Sequence, residues 1–304
     1  MHDTFRRPPS FGVNLSTAAH ELPVTLALAH VVDDAGLDYI SLSDHPYNPV
    51  VLDTWTLLTY LGARTSQVRL LPNVLTLPLR PPAMLAKAAT TLDHLTGGRM
   101  DLGLGAGGSW DGIVGYGGPR RTPGEAVGAL AEAITVLRAL WGNVSAGHMV
   151  ERAGRYYSLQ GAQPGPAPMH TIGIWLGALG PRMLQLTGQR ADGWIASTPF
   201  IPPEELPARL EVIERAARQV NRDPNTIRRV YNVAGTIVAP HAARSQSVQT
   251  GMVVGSVQHW TQELIHYYDD LRMDTFIFAP ITDAAEQIRI FIQEVVPAVR
   301  ERFR

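Results

Sequence analysis

The sequence contains no cysteine, only one lysine and no long apolar run. Without cysteine the chain has no disulfide, no thiolate nucleophile and no cysteine-ligated metal. No apolar stretch approaches the roughly 18–20 residues of a transmembrane helix. The arginines near the start of the sequence are not followed by the apolar core of a signal peptide. We therefore expect a cytoplasmic protein that is not bound to a membrane.

Charge is also scarce, since charged residues make up 17% of the chain and the net charge is −1. Proteins that bind nucleic acid or a membrane surface concentrate basic charge on one face, so this balance argues against both partners. All but one of the 26 basic residues are arginine, which indicates a GC-rich genome rather than an arginine-specific function. The ten histidines show no H-x-H or H-E-x-x-H spacing, so we expect no metal site.

What the sequence has in abundance is a regular alternation of short apolar runs and amphipathic helical stretches, repeated eight times. Apolar strands separated by such helices are typical of a parallel sheet covered by helices. Eight units without a low-complexity linker predict an α/β fold, a single (β/α)8 TIM barrel domain over residues 1–304. A doubly wound dinucleotide fold is the alternative.

The predicted strands are 11–15, 39–42, 68–75, 100–104, 172–176, 193–196, 230–238 and 275–278. The predicted helices are 23–35, 52–65, 82–95, 124–140, 182–189, 203–220, 257–271 and 284–302. Residues 144–159 predict a small hairpin insertion after the fourth helix.

Small and polar residues follow several of the predicted strands, where a barrel places its active site. The second strand is followed by Ser43-Asp44-His45, the third ends in 73–76, and the sixth is followed by Ser197-Thr198. A histidine has a pKa close to working pH, so His45 is a candidate general acid or base, with a packed histidine as the alternative.

Two glycine-containing turns suggest ligand sites. Residues 103–108 match G-x-G-x-x-G, but no helix is predicted directly afterwards, so we reject a dinucleotide fingerprint. These glycines fit either the close approach of a flat ring or a tight loop. Residues 177–181 lead straight into a helix whose first amides can donate to a phosphate, although an ordinary turn is the alternative. Gly255-Ser256 is a second phosphate candidate.

The third predicted strand is unusual because LLPNVLT, at 70–76, has a proline and an asparagine in its middle. Proline cannot donate to a strand ladder, and asparagine brings polar groups that need partners in a core. A central strand that carries both residues therefore needs a reason beyond strand packing.

Four segments together resemble the bacterial luciferase-like superfamily, which comprises flavin- or deazaflavin-dependent oxidoreductases built on a (β/α)8 barrel. They are GLDYISLSDHPYNP, the block VRLLPNVLTLPLRPPAMLAKAATTLDHLTGGRMDLGLGAGG, IWLGALGPRMLQLTGQRADGWIAS, and DTFIFAP with the last helix. The resemblance covers nearly the whole chain and is most specific in LDHLTGGRMDLGLG. Asp44-His45 after the second strand is typical of the F420-dependent branch. The resemblance implies an enzyme that transfers a hydride between deazaflavin F420 and a small organic substrate.

The resemblance also implies roles for individual residues. Asp44 and His45 would lie beside the cofactor, with His45 as the catalytic residue near its reactive face. Asn73-Val74 would be a non-prolyl cis peptide in a bulge whose backbone supports one face of the ring, and Pro72 would mark where regular strand pairing stops. An ordinary strand is the alternative. The other implied cofactor contacts are Ala106, Gly107 and Gly108 along the ring, and Gly177, Ala178, Leu179, Gly180 and Pro181 at the phosphate.

The chain departs from relatives that oxidise sugar phosphates, which carry a glutamate directly after the fourth-strand glycines. Here Gly108 occupies that position and is followed by Ser109, Trp110 and Asp111, which argues against glucose-6-phosphate as substrate. Asp111 is the candidate replacement acid, and Trp110 and Tyr116 predict an apolar substrate wall.

Two alternatives stay open. One is an FMN-dependent luciferase-like monooxygenase that uses reduced flavin and O2, and the other is a barrel that binds its cofactor without turnover. Family habit favours a homodimer, with a separate F420 or flavin reductase as the source of reduced cofactor.

Overall fold

The computed structural model describes residues 7–142, 148–239 and 251–303. The main sheet in these residues is parallel throughout. Its strands are β1 (Ser10–Leu15), β2 (Tyr39–Leu42), β3 (Arg69–Pro72), β4 (Leu75–Thr76), β5 (Leu102–Gly105), β8 (Ile174–Gly177), β9 (Gly193–Ser197), β10 (Arg228–Ile237), β11 (Val253–Gly255) and β12 (Thr275–Pro280). A separate antiparallel hairpin consists of β6 (Val150–Arg152) and β7 (Leu159–Ala162).

Helices connect the strands and cover the outside of the sheet. They are α1 (Leu22–Asp34), α2 (Thr54–Arg64), α3 (Pro82–Thr96), α4 (Trp110–Gly115), α5 (Pro123–Trp141), α6 (Pro181–Arg190), α7 (Leu206–Gln219), α8 (Val257–Asp269), α9 (Ala284–Ile290) and α10 (Val296–Glu301). A π-helical segment, Phe291–Val295, joins the last two. None of the helices in the described ranges is long and apolar enough to cross a membrane.

The strand order closes on itself and confirms the predicted (β/α)8 barrel. The strands run β3-β2-β1-β12-β10-β9-β8-β5-β4, and β3 and β4 are two halves of one barrel strand. Leu70 joins the two ends of this order, because its N–H donates to the Arg99 carbonyl (2.8 Å) and its carbonyl accepts from the Asp101 N–H (3.1 Å). The doubly wound alternative is therefore wrong, since that sheet would stay open.

The third barrel strand is interrupted at the position that the resemblance implied. Regular pairing with β2 ends at Pro72, and the Asn73-Val74 peptide is cis, as the resemblance implied. The neighbouring β5 approaches very closely here, because a Cβ on Gly103 would lie 2.0 Å from the Pro72 carbonyl oxygen. Only glycine fits at that position.

The inside of the barrel is apolar through most of its depth. Six side chains fill it: Tyr39, Leu71, Trp175, Ile195, Val230 and Ile277. The rings of Tyr39 and Trp175 meet edge to face with centroids 5.4 Å apart, a favourable aromatic arrangement. This layer closes the lumen, so a ligand can enter only above it, at the C-terminal ends of the strands.

Three local features differ from the sequence expectation. Helix α4 forms in glycine-rich sequence where no helix was expected, because Ile113 is fully buried and the Tyr47 ring covers Gly112. Packing thus outweighs the low helix propensity of glycine. Strand β11 was not predicted and pairs with β10. The predicted hairpin insertion exists but extends to Ala162, and its residues 144–147 lie outside the described residues.

Candidate active site

The C-terminal ends of the barrel strands open into a cavity of about 840 Å³. Each of the eight barrel strands, or the residues directly after it, contributes to the lining, from Asn14 of β1 to Ala279 of β12. Ten of the eleven predicted cofactor contacts line it, together with His45. These ten are Asp44, Asn73, Val74, Ala106, Gly107, Gly108, Gly177, Ala178, Leu179 and Gly180.

Helix α6 presents its N-terminus to this cavity. Gly180 is its N-cap and Pro181, the eleventh predicted contact, is its first residue, which has no N–H to donate. The first intrahelical bond runs from the Leu184 N–H to the Gly180 carbonyl, so the N–H groups of Arg182 and Met183 have no acceptor within the helix. The first turn carries no acidic residue. This end of the cavity therefore favours an anion.

The second phosphate candidate lies elsewhere. The Ser256 hydroxyl caps α8 by accepting from the His259 N–H at 3.3 Å. Ser256 lines a separate cavity between α8 and the helical segments at 290–298. It is not among the described residues that line the cavity at the barrel mouth.

A network of neutral side chains forms the floor of the cavity. Asn73 and Asn232 exchange two amide hydrogen bonds across the barrel, at 2.7 and 3.1 Å. The Asn232 amide also donates to Ser197 (2.8 Å). On the other side the Asn73 amide donates to Ser41 (3.4 Å), whose hydroxyl donates to Asn14 (3.0 Å). Both hydrogens of each paired amide are thus engaged.

Sequence reasoning missed Asn14, Ser41 and Asn232. Each lies inside an apolar strand, and the available signal was a polar residue interrupting such a run. Asn73 was predicted as a cofactor contact, and its side chain pairs with Asn232 while lining the cavity.

Asp44 is buried in the cavity wall, but its carboxylate is occupied by neighbouring residues. It accepts from the Thr76 N–H and from the Arg80 guanidinium, both at 2.8 Å. Arg80 also donates to Asp53, the N-cap of α2. Burial alone would lower the pKa of Arg80, but the two carboxylates outweigh it and the net effect raises this pKa. Asp44 and Arg80 therefore anchor the loop that carries His45.

His45 lies exposed at the rim of the cavity, with its Nδ1 3.0 Å from the Tyr47 hydroxyl. Burial raises the pKa of Tyr47 above its usual value, a hydrogen bond from Ser109 opposes the rise, and the charge of Asp44 adds to it. Tyr47 thus stays protonated near neutral pH and can donate to Nδ1. A neutral His45 then carries its own proton on Nε2.

The two predicted substrate contacts are not among the residues that line the cavity. The Asp111 carboxylate is almost fully exposed and pairs with Arg120. Trp110 packs over Gly107, where an added Cβ would lie 3.0 Å from its ring. Both residues lie on helix α4, which the sequence did not predict. Tyr116 lines a smaller, separate pocket.

A closed barrel with a glycine-lined cavity at its C-terminal mouth and a split third strand defines a luciferase-like barrel. Residues 8–276 match the family described as luciferase-like monooxygenase. The chain belongs to this family.

Two curated relatives illustrate the range of similar proteins. A phthiodiolone/phenolphthiodiolone dimycocerosates ketoreductase of Mycobacterium kansasii is 36% identical over 178 residues, 58% of this chain and 47% of the relative. An F420-dependent glucose-6-phosphate dehydrogenase of Nakamurella multipartita is 31% identical over 230 residues, 70% of this chain and 65% of the relative. The chain spans about half the length of the ketoreductases it matches.

Solved structures share the fold at lower identity. An F420-dependent secondary alcohol dehydrogenase in complex with an F420-acetone adduct has a TM-score of 0.85 and 19% identity, covering 97% of this chain and all of that one. Riboflavin lyase with modified FMN and substrate riboflavin has a TM-score of 0.83 and 16% identity, covering 98% of this chain and 92% of that one.

Proposed function

We propose that this protein is an F420-dependent oxidoreductase that transfers a hydride between deazaflavin F420 and a small organic substrate. The observation that carries the proposal is a single cavity lined by His45, by the cis-linked Asn73-Val74 and by the turn at the N-terminus of α6. The F420-dependent relative by sequence and the F420-dependent neighbour by fold support the choice of cofactor.

The residues of the cavity fit a planar ring with an anionic tail. Val74 faces two glycines, and a Cβ on Gly105 or Gly177 would come within 2.8 or 3.1 Å of its side chain. Gly107 has a φ of +104°, a conformation that favours glycine. Glycine at 105 and 177 thus accommodates the Val74 side chain, whereas an added Cβ on Gly108 or Gly180 would meet nothing within 4 Å, so the cavity is open beside them. The first amides of α6 are suited to the phosphate of the tail.

Bound F420 would supply the hydride exchange, and the protein supplies position and a proton. Val74 and Ala106 would support the ring, while the N–H groups of Arg182 and Met183 would hold the phosphate. Nε2 of His45 would give a proton to the substrate oxygen as hydride is added to the adjacent carbon, or take one from it as hydride is removed. The Tyr47 hydroxyl can accept from Nδ1 when Nε2 carries no proton. The Asp44–Arg80 pair would keep His45 in place.

The alternative is an FMN-dependent monooxygenase that uses reduced flavin and O2. The description of the matching family as luciferase-like monooxygenase favours it, as does the modified FMN held by riboflavin lyase, which shares the fold. A homodimer and a separate reductase belong to either proposal.

Titration of the purified protein with F420 and with FMN tests the proposal. We expect F420 to bind more tightly, and tighter binding of FMN would favour the alternative. Gly180→Leu should weaken F420 binding at least tenfold without changing the unfolding midpoint, because the leucine would fill space next to the α6 amides.

Gly115→Leu is the matched control, since an added Cβ meets nothing within 4 Å at either glycine and Gly115 does not line the cavity. This variant should bind F420 like the wild type. Equal losses of binding and stability in Gly180→Leu would reject the phosphate site.

A further inference from the structure

One arc of the cavity lining contains none of the proposed cofactor contacts. The ring and phosphate contacts come from the ends of β4, β5 and β8, and His45 follows β2. The remaining arc follows β9, β10 and β12, and its upper wall consists of Pro199, Phe200, Ala234 and Ala279. A substrate that reaches the cofactor in this cavity has to lie against these residues.

The wall of this arc is apolar and its largest side chain is exposed. Phe200 lines the cavity, yet 69% of its surface is accessible to solvent. Leu179, on the neighbouring strand end, is 49% exposed and also lines the cavity. Large apolar side chains exposed together at a cavity mouth are typical of a surface that a ligand covers.

The amides at the centre of the cavity floor are already paired, and the lining offers no cationic side chain to an anionic substrate. The amide hydrogens of Asn73 and Asn232 are engaged with each other and with serine hydroxyls. Asp44 is paired with Arg80, and no lysine or arginine side chain is among the described residues of the lining. A substrate phosphate would find no guanidinium or ammonium among these residues, and a charge buried without such a partner is costly.

We propose that the substrate is a neutral molecule with one carbonyl or secondary alcohol group on an apolar chain, and that the chain lies over Phe200. The proposal rests on the proposed function. In the reducing direction the carbonyl carbon would receive the hydride that reduced F420 supplies, the C=O π bond would break, and the oxygen would receive a proton from Nε2 of His45. The alcohol and oxidised F420 would be the products, and the ring N–H proton that reduced F420 releases would return to His45 through solvent.

The first test measures binding of a 2-alkanone series, from butanone to decanone, to the F420-loaded protein. Burial of each added methylene against an apolar wall should tighten binding by about threefold to fourfold until the chain outgrows the arc. Glucose-6-phosphate should bind more weakly than decanone. A flat dependence on chain length, or tighter binding of glucose-6-phosphate, overturns the proposal.

The second test compares Phe200→Ser with Leu95→Ser, a leucine on α3 that is also 69% exposed. Phe200→Ser should weaken decanone binding about tenfold, change butanone binding less than threefold and leave the Kd of F420 unchanged. Leu95→Ser should change none of these values. Equal losses for the two ketones would assign Phe200 to folding or to the cofactor and overturn the proposal.

The rate at which reduced F420 is oxidised should increase with the chain length of the ketone in the same order as binding. If the wild type fails to bind F420, the proposed function fails and the substrate proposal fails with it. If F420 binds normally but chain length has no effect, only the substrate proposal is lost.

Discussion

The N-terminal end of the barrel and the floor of the C-terminal cavity are held together by different kinds of contact. The N-terminal end is charged: Arg69 pairs with Asp101 at 2.8 Å, and Glu214 accepts from Arg229 and Arg272 at 3.1 and 2.6 Å. The floor of the C-terminal cavity consists of neutral amides and hydroxyls. The charged pairs tie loops and strands together, whereas the neutral floor leaves space above it. We therefore expect the N-terminal end to contribute mainly to stability and the C-terminal end to bind the ligand.

The third barrel strand contains both kinds of contact within five residues. Arg69 at its start holds Asp101 and donates to the Gly98 carbonyl, and Asn73 at its end reaches across to Asn232. The interior between them is closed by Leu71. Substitutions along this one strand can therefore separate the two roles.

The most family-specific sequence, LDHLTGGRMDLGLG, lies largely at the charged end. Arg99 donates to the carbonyls of Val68, Gly62 and Thr65 at 2.7–2.9 Å. Asp93 accepts from the Met169 N–H at 2.7 Å. This motif thus closes and stabilises the barrel, and only its last residue, Gly105, lines the cavity.

The largest loss of stability should come from Arg69→Met. This substitution leaves the buried Asp101 carboxylate without its guanidinium, and loss of one partner of a buried pair costs about 3 kcal/mol. We expect the free energy of unfolding in urea to fall by this amount while the Kd of F420 stays close to the wild-type value. Arg64→Met, at an exposed position of α2, is the control and should change neither quantity. A tenfold loss of F420 binding in Arg69→Met would contradict the separation of the two ends.

A pH-dependent effect should come from Asp33→Asn, also at the charged end. Burial alone would raise the pKa of Asp33, but N–H groups of Val68, Ser66 and Gln67 donate to its carboxylate and the net effect lowers this pKa. A lowered pKa stabilises the fold above the unfolded value of about 4, and this stabilisation is lost as the pH falls through the folded value.

At pH 7 the free energy of unfolding of Asp33→Asn should therefore be about 2 kcal/mol lower than that of the wild type. The gap should shrink as the pH falls below about 4, as measured by urea unfolding at several pH values. Asp34→Asn, at the next and exposed position, should show no such gap. A difference that is constant with pH would disprove the role of the carboxylate charge.

The smallest stability effect, but a clear binding effect, should come from Asn232→Ala. Asn73 keeps Ser41 as a partner, so we expect a loss of about 1 kcal/mol in unfolding free energy. F420 binding should weaken about tenfold, because the Asn73 side chain beside the ring wall loses its fixed position. Fluorescence titration and urea unfolding measure the two changes.

Asn225→Ala removes an amide just before the same strand, at the opposite end of the barrel, and should leave F420 binding unchanged. Similar binding losses in both variants would argue against a role of the cavity floor in positioning the cofactor.

Much of this architecture could be read from local sequence. The alternation of apolar and amphipathic stretches predicted the barrel, and the proline and asparagine of LLPNVLT marked the third strand as unusual. The turn at 177–181 predicted the helix that begins at Pro181. These features depend on residues that are close in the chain, and their periodicity or backbone chemistry is visible without the fold.

Helix α4 could not be predicted from local sequence. It forms because Ile113 and Tyr47 pack around its glycines, and Tyr47 is distant in sequence from that helix. Trp110 and Asp111 lie on α4, so the directions of their side chains depend on a helix that only tertiary packing stabilises.

The sequence by itself determined the strand and helix succession, the closed barrel and the small residues at the strand ends, because hydrophobic periodicity and turn chemistry are local properties. Only the tertiary structure decided that Asn73 meets Asn232, 159 residues away, and that the apolar arc around Phe200 stays open. Those contacts exist only once the barrel has closed and set the register of every strand, because the register decides which side chains face one another across the cavity.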